Sequence, residues 1–223
     1  MIVVNTKAYK EGIGRNAVEI AKVMKKVGEK HKVRMVLAVQ PSDIHAVSNI
    51  IETFCQHIDA IEYGSHTGWI LPEAVKEAGA KGTLINHSEH LMKIEDIAKA
   101  IERAKEVGLE VIVCASNIAI TRAIACLNPD CIAIEPPELI GGDISVTKAK
   151  PTVVKKAVDE VKKINDEIKV LCGAGIKNGM DVSKAVELGA DGILVASGVV
   201  KARNKEEILE EMAMAIAHKK QST

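Results

Sequence analysis

Short β-branched runs alternate with longer amphipathic segments from one end of the chain to the other, and this alternation restricts the fold more than any other feature. The runs are Ile2-Val4, Val33-Val39, His57-Ile61, Thr83-Asn86, Val111-Cys114, Cys131-Ile134, Val170-Cys172 and Ile193-Val195. Between them, Asn16-Lys30 places Ala17, Ile20, Ala21, Val23, Met24 and Val27 at a period near 3.6, the mark of an amphipathic helix. Ile94-Val107, Thr152-Ile164, Asp181-Leu188 and Lys205-His218 follow the same pattern. Gly79, Gly108 and Gly189 each follow a helical segment and are expected to close it in a left-handed cap. Regular βα alternation implies parallel strands joined by right-handed crossovers. Eight such units imply a closed (β/α)8 barrel, with an open doubly wound sheet as the alternative. No linker or shift in composition divides the chain, so residues 1–223 are expected to form a single domain.

Composition narrows the partners. With only one Trp, one Phe and two Tyr, the core must be built from Val, Ile, Leu and Ala, as in parallel strands covered by Ala-rich helices. Thirty basic and 30 acidic side chains leave no basic excess for nucleic acid or an anionic membrane. No apolar run reaches the roughly 18–20 residues of a membrane helix, and the N-terminus does not read as a signal peptide. The five cysteines, Cys55, Cys114, Cys126, Cys131 and Cys172, form no C-x-x-C pair. They imply a reducing, cytoplasmic setting without disulfides.

In a barrel, chemistry gathers at the C-terminal ends of the strands. Asn5-Thr6-Lys7 follows the first run, where a lysine can hold its ammonium over the barrel mouth. Asn86-His87-Ser88-Glu89 follows the fourth and brings a histidine, whose protonation is easily moved near neutral pH. Glu135 directly follows the sixth; partial burial there would strengthen it as a base. Pro136 and Pro137, then Gly141 and Gly142, read as a stiff lid on loose ends. Gly173-Ala174-Gly175 and Ala196-Ser197-Gly198 follow the seventh and eighth runs, where small residues free backbone N–H groups for a phosphate.

Several motifs are set aside. Gly12-Ile13-Gly14-Arg15-Asn16-Ala17 fits a loose dinucleotide pattern but is separated from its strand by Tyr9-Lys10-Glu11. Asn86-His87-Ser88 is a glycosylation sequon in the wrong compartment. His87 and His90 lack the further ligands that a metal needs. Gln56-His57-Ile58-Asp59 and Gly64-Ser65-His66-Thr67-Gly68 read as a structural loop or an oligomer contact.

Together, Asn5-x-Lys7, Asn86-His87-Ser88-Glu89, Glu135-Pro136-Pro137-Glu138-Leu139-Ile140-Gly141, Gly173-Ala174-Gly175 and Ala196-Ser197-Gly198 resemble the triosephosphate isomerase family, in its order and at its strand positions. Gly64-Ser65-His66-Thr67-Gly68 and the short chain resemble its archaeal branch. The resemblance implies interconversion of D-glyceraldehyde 3-phosphate and dihydroxyacetone phosphate through an enediolate, in glycolysis and gluconeogenesis, with no metal and no cofactor. It implies Glu135 as the base and His87 as a neutral electrophile, a pairing for which this family is the standard worked case. Lys7 would supply positive charge, Asn5 would orient a substrate oxygen, and Glu89 would hold Lys7 or follow the conformational change. Backbone amides near Ile140, Gly141, Gly173, Ala174, Gly175, Ala196 and Ser197 would take the phosphate. A homo-oligomer is implied, a tetramer rather than a dimer. Gly142-Asp143 departs from the family's lid and bears on its closure, and His90-Leu91 replaces residues that are usually basic. Another sugar-phosphate isomerase on the same barrel, or an inactive oligomeric scaffold, are the alternatives.

Overall fold

A computed structural model describes residues 1–136 and 151–220. In it, eight parallel strands close into a barrel in sequence order: β1 (Ile2–Asn5), β2 (Met35–Val39), β3 (Thr53–Cys55), β4 (Gly82–Ile85), β5 (Glu110–Ala115), β6 (Cys131–Ile134), β7 (Lys169–Cys172) and β8 (Gly192–Val195). β8 pairs with β1 in the register Ile2↔Ile193, which closes the ring. The helices are α1 (Arg15–His31), α2 (Ile44–Ser48), α3 (Pro72–Glu77), α4 (Ile94–Glu106), α5 (Ile118–Ala125), α6 (Pro151–Ile164), α7 (Gly179–Glu187), α8 (Ser197–Val200) and α9 (Lys205–Lys220). Gly79, Gly108 and Gly189 all have positive φ, as the helix-end pattern requires.

The strands are buried on both faces, and alternate residues feed two separate cores. Val3, Val36, Ala38, Phe54, Leu84, Ile112, Ala133, Leu171 and Leu194 fill the barrel interior. Their neighbours in sequence, such as Val4, Leu37, Val113, Ile132 and Val170, pack outward against the helices. The chain's one phenylalanine needs a gap in the neighbouring strand: Gly82 of β4 is its register partner, and a Cβ there would lie 2.5 Å from the Phe54 ring.

One expected strand is displaced. The third strand is Thr53–Cys55, not His57–Ile61. Ile58 and Ile61 are buried, but three residues apart, which is not the spacing of one strand face. Asp59 instead closes a loop: its N–H donates to Ile70 O at 3.0 Å, and its Oδ2 accepts from Ile70 N at 2.7 Å. α2 and α8 are too short to show a period in the sequence. α5 carries a readable start, since Asn117 Oδ1 accepts from Ile120 N at 3.0 Å.

Candidate active site

The barrel mouth brings Lys7, His87 and Glu135 around one cavity, which Asn5, Ala174, Gly175, Ala196 and Ser197 also line. Each group is held by its own local device.

Lys7 stands just past β1 with φ +50°, a conformation unusual for a residue with a Cβ. It is fixed at three points. Its N–H donates to Asn5 Oδ1 at 2.9 Å, and its carbonyl accepts from Gln40 Nε2 at 3.1 Å and Gln56 Nε2 at 3.0 Å. Its Nζ pairs with Glu89 Oε1 at 2.7 Å. The lysine side chain is only 11% exposed while Glu89 is 57% exposed, so the pair joins a half-enclosed ammonium to a solvated carboxylate. Neither glutamine was singled out for this role by its sequence context, because Gln40 follows the neighbouring strand β2 and Gln56 the next, β3.

His87 follows β4. The backbone N–H of Glu89 donates to His87 Nδ1 at 3.1 Å. A neutral imidazole that accepts at Nδ1 carries its proton on Nε2. That nitrogen lies 3.6 Å from Glu135 Oε2, too far for a hydrogen bond between them. His90 does not join His87 in a ligand pair; its ring stacks on His57 with centroids 4.1 Å apart.

Glu135 follows β6, and its N–H donates to Ala115 O at 2.8 Å. The residue is 6% exposed, and its Oε2 is buried with no hydrogen-bond partner among the described residues. Such an orphan is costly in a structure built only for stability. The buried Cys114 thiol is a neighbour of the Glu135 carboxylate. Burial and then the carboxylate charge push that thiol well above its ordinary range. Cys114 is thus a buried small residue, as its apolar run implied, and also a neighbour of the acid.

The turns after β7 and β8 divide between two tasks. Ala174 has φ +64° and Gly175 φ +71°, and both residues border the cavity. Ala196 and Ser197 border it at the start of α8. Gly173, expected among the phosphate contacts, is placed differently. Its N–H donates to Ile134 O at 3.0 Å, and a Cβ on it would lie 2.4 Å from Glu135 Cγ. Its missing side chain is the seat of the carboxylate. Ile140 and Gly141, with Glu138, Gly142 and Asp143, lie outside the described residues. The cavity wall also includes Tyr9, Ile176 and Lys177, which sequence reasoning did not single out. Tyr9 had a usable signal in its place two residues beyond Lys7; the other two had none.

The arrangement sets a carboxylate, one oxygen of which has no partner among the described residues, near an imidazole and an ammonium, with the small-residue turns after β7 and β8 lining the same cavity. It can remove a proton from carbon while donors meet the charge that forms on oxygen. A family model described as triosephosphate isomerase matches residues 1–212. The chain is 53% identical over 214 residues to the triosephosphate isomerase of Methanocaldococcus jannaschii, covering 95% of this chain and 98% of that protein. It is 50% identical to that of Methanothermus fervidus over 214 residues, covering 95% and 96%. A crystal structure of triosephosphate isomerase from Bartonella henselae superposes with a TM-score of 0.74 at 16% identity, covering 98% of each chain, a likeness of fold.

Proposed function

The chain belongs to the triosephosphate isomerase family, and from that premise we infer that Glu135, His87 and Lys7 carry the interconversion of D-glyceraldehyde 3-phosphate and dihydroxyacetone phosphate. The enzyme is an isomerase of glycolysis. Glu135 takes a proton from the carbon beside the substrate carbonyl and returns it to the neighbouring carbon. Between these steps the negative charge rests on oxygen as an enediolate. His87 Nε2–H donates to that oxygen, and the Lys7 ammonium offsets its charge. Asn5 orients the oxygen from below, through the same carboxamide that holds the Lys7 N–H. Amides of Ala174, Gly175, Ala196 and Ser197, with Ile140 and Gly141 from the lid, take the phosphate, and Glu89 keeps Lys7 in place until the lid closes.

The observation that carries this reading is the buried Glu135 Oε2, without a hydrogen-bond partner among the described residues and 3.6 Å from His87 Nε2. Glu135→Gln keeps the shape and removes the base. It should lower kcat by about a thousandfold or more with a small change in KM. Near-normal turnover would defeat the assignment.

The chain works as one barrel domain in the cytoplasm, where its five free cysteines stay reduced. No helix among the described residues is long and apolar enough to cross a membrane. Its assembly is a homo-oligomer, a tetramer in preference to a dimer. Tyr63 and Trp69 on the β3–α3 loop, and Leu91 and Ile94 before and at the start of α4, are all more than half exposed, as residues awaiting a second copy should be. Light scattering that found only monomer would refute this.

A further inference from the structure

We propose that Asn86 is a positioning residue for the isomerisation: its side-chain amide bolts the His87 segment to β5, which keeps the imidazole proton on Nε2 and aimed at the substrate. The proposal rests on the reading of His87 as the group that polarises the carbonyl.

Asn86 is 7% exposed and sits at φ +56°, in the left-handed region that asparagine tolerates better than most residues with a Cβ. A glycine would satisfy that backbone at lower cost. The side chain therefore needs its own explanation, and both ends of its amide are used. Nδ2 donates to Cys114 O at 3.0 Å, and Oδ1 accepts from Met92 N at 3.0 Å.

The first bond extends a strand ladder by other means. β4 and β5 pair through Ile85↔Val113, so the next rung would match residue 86 with Cys114. The backbone of Asn86 has turned left-handed there, and its side chain takes the Cys114 carbonyl instead. The second bond draws residue 92 back to residue 86, so the five residues between them form a closed turn. Within that turn His90 N donates to His87 O at 2.7 Å, and Glu89 N donates to His87 Nδ1 at 3.1 Å. The Glu89 bond sets the tautomer of the ring, and its geometry depends on the turn being closed. The next residue of β5, Ala115, accepts from Glu135 N at 2.8 Å. Two adjacent residues of β5 therefore serve as the common reference for base and electrophile.

The test uses full-length Asn86→Gly, His87→Gln and the double variant. Asn86→Gly allows the same φ and removes only the bolt. It should keep its fold and melting behaviour, lower kcat by about 10- to 100-fold, and leave KM within about twofold. In 15N-histidine spectra, His87 should lose the single Nε2–H tautomer and show a mixture. The double variant should be no slower than His87→Gln alone, because Asn86 acts through His87. If Asn86→Gly kept kcat within twofold, or if its effect multiplied with that of His87→Gln, the proposal would be overturned. A loss of stability with an unchanged tautomer and unchanged turnover per folded site would mean a structural role only, and would overturn it too. Should His87→Gln keep normal turnover, the reading of His87 fails instead, and the tautomer in Asn86→Gly still decides whether the bolt holds the ring. If the glycine variant does not fold, Asn86→Asp keeps the acceptor for Met92 and lacks the donor for Cys114. It should show the same kcat loss and mixed tautomer, and normal values for both would refute the proposal.

Discussion

Gly173→Ala should disable the enzyme while barely disturbing the fold. The added methyl would lie 2.4 Å from Glu135 Cγ, 2.8 Å from Oε1 and 2.9 Å from Cδ. Carbon atoms in ordinary contact stand about 3.5–4.0 Å apart, so the carboxylate must retreat by about 1 Å or more. The backbone at Gly173 is not left-handed, so alanine meets no φ penalty there. The clash falls on the movable end of one side chain, and the stability cost should be at the low end for overpacking, about 1 kcal/mol. Catalysis is less forgiving. A base misplaced by about 1 Å can lose a hundredfold in rate. Thus kcat should fall by about a hundredfold in both directions of the reaction, measured with a coupled reductase for dihydroxyacetone phosphate and a coupled dehydrogenase for D-glyceraldehyde 3-phosphate. KM should stay within about threefold, because the Gly173 N–H is already committed to Ile134 O. Normal kcat with a raised KM would refute the reasoning and return Gly173 to the phosphate turn. Normal values for both would show that Glu135 has more room than the close approach to Gly173 implies.

Three further outcomes are expected. Arg34 donates to both Glu52 and Glu110 at the N-terminal face of the barrel, and Arg34→Met strands two half-buried carboxylates at a cost of about 2 kcal/mol in urea unfolding at pH 7. Burial alone would raise the Glu110 pKa, but the hydrogen bond and charge of Arg34 outweigh it and hold the group below its ordinary value; the stabilisation is therefore present above pH about 4.5 and should fade as pH falls through the lower folded pKa. A difference between wild type and variant that did not shrink in acid would contradict this. A thiol reagent at pH 8 should modify Cys126 alone in the native chain and all five cysteines after unfolding, because burial pushes Cys55 up to about 11 and Cys172 up to about 12 and raises Cys114 and Cys131 as well; fast native labelling at a second site would count against it. Burial, opposed by Asp59 and reinforced by His90, keeps His57 below the usual histidine range, so the unfolded chain binds its proton first. The stability contributed by neutral His57 should be lost as pH drops from about 6.5 towards the folded value, and His57→Gln should flatten that part of the stability curve.

The division between what the residues announce and what they conceal follows from the barrel itself. Strands buried on both faces read as continuous apolar runs, so seven of eight strand positions were visible, together with the long helices whose period was complete. The third strand was missed because Thr53–Cys55 is short and the apolar residues after it pack against the helix layer in a loop. Lys7, His87 and Glu135 were legible as mouth residues because they stand within three residues of the end of an apolar run, and the family resemblance supplied their expected roles. Glu89 as the holder of Lys7 came with the family resemblance, whereas the glutamines that hold the Lys7 carbonyl were not legible, because they come from other strands. Gln40 and Gln56 reach that carbonyl from beyond β2 and β3. Gly173 follows its strand as Glu135 follows β6, yet only the pairing of Ile134 with Cys172 reveals that one lies against the other. In such a barrel, sequence order fixes which groups reach the mouth, whereas strand register decides which of them touch. The small residues there are consequently ambiguous until the register is known: Gly175 offers backbone to the cavity, while Gly173 offers space to the base.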